Sequence, residues 1–252
     1  MSLSPDGAPT PTPPNGGLRV AAIGDLHVGE NHKHPYRDLF ARISQEADVL
    51  ALCGDLTNFG KTPEAEILAE DLQACSIPVV GVLGNHDYEC GQPQEVVRIL
   101  HQAGMMLLDG EAFEIGGVGF AGCKGFIGGF GRHMLSAFGE PEIKQFVQAA
   151  VDENLKLETG LRMLRTERTV VVTHYSPVVE TLQGEPPEIF PFLGSARMGE
   201  TIDRFEGVRL AFHGHAHRGA YEGRTARGVP VYNVAKPVLN RDLGVEFALF
   251  EV

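Results

Sequence analysis

The sequence predicts an α/β protein, a four-layer α/β/β/α sandwich of two mixed sheets packed face to face. Strand-like and helix-like segments alternate from Leu18 onward. Five short apolar runs stop abruptly at glycine or a polar residue, as buried parallel strands do where they end in turns. The strands also fall into two sets, each able to cover one face with helices. A single doubly wound sheet is the alternative.

The first run is Leu18 to Ile23, and Pro35 to Glu46 follows with a helical stripe of Leu39, Phe40 and Ile43. Val49 to Cys53 is the second strand. Thr62 is then expected to cap a helix with Pro63 at its first position and Ile67, Leu68 and Leu72 on the buried face. Pro78 opens a third strand, and Gln92 to Ala103 reads as a helix with Val96, Val97 and Leu100 inward, ended by Gly104. Met105 to Leu108, Ala112 to Ile115 and Val118 to Gly122 are separated by Asp109-Gly110 and Gly116-Gly117, which predicts an antiparallel meander. Pro141 to about Arg165 is a long helix carrying Ile143, Phe146, Val147, Ala150 and Leu161. Strands at Val170 to Thr173, Val208 to Phe212, Val229 to Val234 and Val245 to Phe250 complete the pattern, with a helix near Glu200 to Phe205.

At 252 residues the chain is long enough for a sizeable core, and the unbroken alternation predicts one domain over residues 18–252. Residues 1–17 are rich in Pro, Gly, Ser and Thr and are expected to be a disordered tail. They lack the basic start and apolar core of a secretory signal, and no apolar stretch is long enough to cross a bilayer. Lys and Arg number 21 against 33 Asp and Glu, a net charge of −12. That balance argues against a sequence-independent grip on nucleic acid or on an anionic membrane, and it suits a site that recruits cations. The four cysteines show no paired metal spacing and read as reduced residues of a cytoplasmic protein.

The chemistry collects where strands end. Asp25, His27, Asp55, Asn85, His174, His215 and His217 offer carboxylate, amide and imidazole donors and no thiolate, a set suited to Mn, Fe or Zn. Seven donors exceed the needs of one first-row ion. Since one carboxylate can bridge two ions, the set fits a binuclear centre. Each residue alone has a simpler explanation: Asp25 as a turn or cap residue, Asn85 and Asp87 as turn formers after Gly84, His174 as a satisfied core histidine. Three histidines in the five residues His213 to His217 are harder to explain by packing.

The ordered blocks Asp25-Leu26-His27, Gly54-Asp55, Gly84-Asn85-His86-Asp87, His174 and Gly214-His215-Ala216-His217 resemble the calcineurin-like metallophosphoesterase superfamily over residues 20–217. The resemblance implies the four-layer fold. It places Asp25, His27 and His217 on one metal, Asn85, His174 and His215 on the other, and Asp55 across both, with His86 as the unliganded catalytic histidine. The implied reaction is hydrolysis of a small phosphate ester by a metal-bridging hydroxide, with His86 steadying the phosphoryl group or protonating the leaving alkoxide. After Asp55 the chain reads Leu56-Thr57-Asn58-Phe59-Gly60, without the arginine of the protein serine/threonine phosphatases. The block is closer to the cyclic-nucleotide and glycerophosphodiester phosphodiesterase branch, which favours diesters. Many members of that branch carry Asp where this chain has Asn58, so an Asn58 side chain bonded to His86 would leave it a weaker acid; Asn58 and Asp87 are both expected to support the site from behind the ligands.

Lys124 to Gly139 is glycine-rich but lacks the Gly-Lys-Ser/Thr of a nucleotide loop. It is either a surface connection or a lid bringing Lys124, Arg132 or His133 to a substrate, with Phe126 and Phe130 as an apolar wall and the stretch Glu185 to Met198 opposite. Two other readings stand beside the esterase. A metal-dependent nuclease would share the ligands but calls for a basic or aromatic track. A non-catalytic interaction scaffold would have no need of the complete set.

Overall fold

A computed structural model describes residues 17–252, so the tail expected over residues 1–17 lies, except for Gly17, outside the described residues. Two sheets form the centre. The first contains β1 (Arg19–Ile23), β2 (Val49–Cys53), β3 (Val79–Val82), β4 (Met105–Leu107) and β11 (Ala248–Glu251), in the order β11-β1-β2-β3-β4. All its pairings are parallel except β1 with β11. The second contains β5 (Ala112–Ile115), β6 (Val118–Cys123), β7 (Thr169–Thr173), β8 (Val208–His213), β9 (Glu222–Arg224) and β10 (Pro230–Asn233), in the order β5-β6-β7-β8-β10-β9. Its central strands are parallel, with antiparallel edges at β5 and β9.

The strands β2 and β3 face β6 and β7, so the two sheets bury their inner sides against each other. Helices α1 (Arg37–Glu46), α2 (Thr62–Leu72) and α3 (Pro93–Gln102) cover the first sheet, while α4 (Pro141–Met163) and a short helix at Ala196–Ile202 cover the second. The fold is thus of the α/β class, two mixed sheets between helices, as expected. β2, β3, β6 and β7 are buried at every position because both of their faces are covered.

Helix α1 buries Leu39, Phe40 and Ile43 as its stripe predicts. In α3 the buried set is Val96, Ile99 and Leu100, with Val97 only partly covered. The cap of α2 is shifted by one: Lys61 holds that position, and Glu64 reaches back to accept the N–H groups of Phe59 (2.7 Å) and Lys61 (3.3 Å). The predicted antiparallel meander is corrected. β4 joins β3 in parallel in the first sheet, and only β5 and β6 form a hairpin, through Gly116-Gly117. Local turn residues could not show that the chain changes sheets between them. The helix expected near Glu200 to Phe205 lies earlier, at Ala196–Ile202, and the last strand starts later, at Ala248. Among the described residues no helix is long and apolar enough to cross a membrane.

Candidate metal centre

Because β1, β2 and β3 run parallel, as do β7 and β8, their carboxyl ends lie along one edge of the paired sheets. Main-chain bonds lock the loops there: Asp25 N–H donates to Gly54 O (2.9 Å), His27 N–H to Asp55 O (2.9 Å), and Gly214 N–H to His174 O (3.1 Å). Gly24 N–H donates across to Val234 O at 2.9 Å, joining the two sheets at the site.

The backbone is strained where the donors sit. Asp25, His27, Asp55 and His215 have φ of 59°, 46°, 48° and 68°, four of the five non-glycine residues with left-handed φ among the described residues. Each such residue costs on the order of 1–3 kcal/mol, and such strain clusters at working sites. Close approach explains two of the motif glycines. A Cβ on Gly84 would lie 2.1 Å from Asp55 Oδ1, and one on Gly214 would lie 2.3 Å from Asp25 Oδ2.

The structure brings all seven proposed ligands together. Asp25, His27 and His217 form one cluster of donor atoms, and Asp55, His174 and His215 form another; His27, Asp55 and His86 make a third that overlaps both. Asp55 lies between them, with Oδ1 3.2 Å from His174 Nε2 and Oδ2 3.8 Å from His27 Nε2. Asn85 Oδ1 lies 2.9 Å from His174 Nε2.

These residues fit cations. His174 Nδ1–H donates to Cys53 O (2.9 Å), so in the neutral ring Nε2 carries a lone pair. That lone pair points at the oxygens of Asn85 and Asp55, three acceptors with no donor among them. Both ring nitrogens of His27 are buried without a hydrogen-bond partner, an arrangement that is costly unless something else binds there. The donor set, carboxylate and imidazole with one amide, suits first-row divalent ions.

Burial shapes the charges. It pushes the Asp25 carboxyl up to about 6, opposed by a hydrogen bond from His217 Nε2 to Asp25 Oδ1 at 2.8 Å. That same bond raises His217. Burial lowers His27 to about 4 and His215 to about 3, and it holds His174 well below the usual imidazole range, so these three rings are neutral donors at neutral pH. His213 differs from its neighbours. It is fully buried, with Nδ1 2.7 Å from Gly214 O and Nε2 2.8 Å from Thr181 Oγ1, a hydrogen-bonded core histidine.

His86 stands at the edge of the cluster, with Nε2 3.9 Å from Asp55 Oδ2. Its Nδ1 lies 2.7 Å from the main-chain oxygen of Asn58. The contact foreseen through the Asn58 side chain is therefore made by its backbone, and an aspartate at 58 would leave this bond in place. Asp87 is no simple turn former. Its buried carboxylate accepts Gly84 N–H (2.7 Å), Thr57 N–H (2.8 Å), Thr57 Oγ1–H (2.6 Å) and Leu56 N–H (3.2 Å), tying the loop after β2 to the loop after β3.

Lys124 is enclosed rather than open. Its Nζ donates to Gly125 O at 2.6 Å and sits 5.4, 4.9 and 5.3 Å from the ring centres of Tyr88, Phe126 and Tyr175, with Glu153 Oε2 at 3.9 Å. Arg132 is exposed on a turn at Gly131–His133, and the His133 side chain lies outside the described residues. The two long loops do not face each other across an opening. Gly128 N–H donates to Pro191 O and Gly129 N–H to Gly194 O, both at 2.9 Å, so they form one bonded structure. Its Phe192 carbonyl lies 3.2 Å from His215 Nε2. Sequence reasoning missed Phe192, Tyr175, whose ring centre lies 4.4 Å from that of His215, and the Cys53 carbonyl. Carbonyl contacts leave no residue-type signal. Tyr175, directly after His174, was the one visible hint.

A family model described as calcineurin-like phosphoesterase matches residues 18–219. Among solved structures, a phosphopantetheinyl hydrolase from Mycobacterium tuberculosis superposes with a TM-score of 0.63 at 16% identity, covering 94% of this chain and 96% of its own. A second crystal structure matches with a TM-score of 0.62 at 14% identity, covering 93% of this chain and 99% of its own. No curated protein sequence matches. These likenesses extend the family match to the fold of nearly the whole chain, and the donor clusters sit on the motifs within it. The chain belongs to the calcineurin-like phosphoesterase family.

Proposed function

We propose that the protein is a binuclear metal-dependent phosphodiesterase acting on a small-molecule ester. The observation that carries this reading is the position of Asp55, whose two oxygens face different donor clusters. Asp25, His27 and His217 would hold one ion and Asn85, His174 and His215 the other, with Asp55 shared. Two ions of the Mn, Fe or Zn type, when bound there, would supply Lewis acidity and offset the charge that gathers on the phosphoryl oxygens.

The chain's own residues do the rest. The Nδ1–H bond to Asn58 O fixes the His86 ring with Nε2 toward the site. As an imidazolium, His86 gives its Nε2 proton to the departing alkoxide as a hydroxide ion bonds to phosphorus and the P–O bond to the alcohol breaks, and it is left as the neutral ring with Nδ1–H still held. The preference for diesters rests on charge. The loop after Asp55 carries no arginine, its Lys61 is paired with Glu30 at 3.0 Å, and Lys124 is enclosed, so none of them offers an unpaired cation to the second negative charge of a monoester. The four cysteines are free, which suits a reducing cytoplasm.

Bis-p-nitrophenyl phosphate and p-nitrophenyl phosphate, assayed with Mn²⁺ before and after chelation, test the reading. Chelator-sensitive turnover with the diester preferred is the expected result. Chelator-insensitive turnover, or none with either ester, contradicts it.

A further inference from the structure

Beside the donor cluster lies a cavity of about 350 Å³ that the proposed chemistry does not use; His27, Asn58, Phe59 and Lys61 line it, with Glu30 and Glu64. Phe59 is 47% exposed. Its backbone is nevertheless pinned. Phe59 N–H donates to Glu64 Oε2 (2.7 Å), its carbonyl accepts Cys90 N–H (3.1 Å), and Gly60 N–H donates to Thr57 Oγ1 (3.1 Å). Gly60 has φ of +71°, and a Cβ there would lie 2.5 Å from Asp87 O, so the turn is packed against the loop that carries His86. An open aromatic ring on so fixed a backbone is a preformed surface.

Its placement gives it a direction. Asn58 and His27 both line the cavity and both touch His86, Asn58 through its carbonyl on Nδ1 and His27 through a ring contact with centres 4.5 Å apart, so the space adjoins the ring that would protonate a leaving group. Its lysine and its two glutamates are already partnered. Lys61 Nζ is 3.0 Å from Glu30 Oε1 and 5.7 Å from the Phe59 ring centre, and Glu64 is taken up by backbone N–H groups. A second phosphate or a carboxylate would have to break the Lys61–Glu30 pair, whereas a flat uncharged ring needs no such rearrangement.

We infer that this cavity is a leaving-group subsite for phosphate esters whose departing alcohol carries a flat, uncharged aromatic ring stacked on Phe59. The inference rests on the phosphodiesterase reading for its place in the reaction, and its test separates the two. The metal-loaded protein is titrated into 2-naphthylmethanol and followed by naphthalene fluorescence anisotropy, which has no tryptophan background because the chain has no tryptophan. Binding should weaken about tenfold in Phe59→Ala and return in Phe59→Tyr. In parallel, bis(2-naphthylmethyl) phosphate and bis(cyclohexylmethyl) phosphate, whose alkoxides are of similar basicity, are compared by kcat/KM. The wild type should favour the naphthyl ester, and Phe59→Ala should remove about tenfold of that preference. Absence of naphthylmethanol binding, binding indifferent to Phe59→Ala, or an unchanged ester preference overturns the subsite. Phe59-dependent binding with hydrolysis of neither ester supports the aromatic subsite and overturns the esterase reading alone.

Discussion

His86 Nδ1 lies 2.7 Å from the main-chain oxygen of Asn58. The ring is thus oriented by a group that no side-chain substitution at 58 removes. Asn58→Ala should lower kcat far less than His86→Ala, which should cost about 10²–10⁴-fold if the ring is the general acid. Steady-state kinetics on the diester with metal content measured alongside decides it. Equal losses in the two variants would return the role to the Asn58 side chain.

Asp87 gathers four donors into a fully buried carboxylate, and burial pushes its carboxyl up to about 6. Replacing it with alanine would leave Gly84 N–H and Thr57 N–H without their acceptor in the interior. Asp87→Ala should destabilise the protein by about 2–4 kcal/mol in urea unfolding, since each orphaned donor costs about 1–3 kcal/mol. A loss below about 0.5 kcal/mol would mean that the two loops are held by other contacts.

Metal affinity should depend on pH in one direction. Asp25, raised to about 6 by burial, and its partner His217, also raised, share a proton that a cation must displace. Affinity is therefore expected to fall as pH drops through about 6, with proton uptake by the buffer seen calorimetrically on binding. His27, at about 4, is already neutral there and contributes no proton. For fold stability its sign is the usual one for a depressed imidazole. The contribution is full above about 6.5 and is lost as pH falls toward 4. Metal affinity unchanged between pH 7.5 and 5.5 would refute the shared proton.

Lys124 fastens three rings around one ammonium, and two of them lead to the site: Tyr88 follows His86 closely, and Tyr175 packs on His215. Lys124→Met should therefore lower kcat and melting temperature while leaving KM for the diester nearly unchanged, because the ammonium is not open to substrate. A large rise in KM alone would make Lys124 a substrate contact instead.

Strand ends were legible because buried parallel strands are continuous apolar runs, and the runs before Asp25, Asp55 and His174 are fully buried apart from Arg19. The gathering of the donors followed from parallel topology, which the alternation of elements implied. Long-range pairing was not legible. Nothing local says that β4 joins β3 while β5 opens the other sheet, or that β11 returns antiparallel beside β1. His213 shows the same limit in the site, since a core histidine and a donor two residues away look alike in sequence and differ only in what Thr181 offers. Asn58 was legible as a residue near His86, but not that its carbonyl makes the contact.

Metal content by elemental analysis, in wild type and in Asp55→Asn, tests the central claim most directly. A shared Asp55 predicts about two ions per chain in the wild type, and a marked loss of metal together with diester turnover in the variant. One ion per chain in both proteins, with turnover kept in Asp55→Asn, would contradict it.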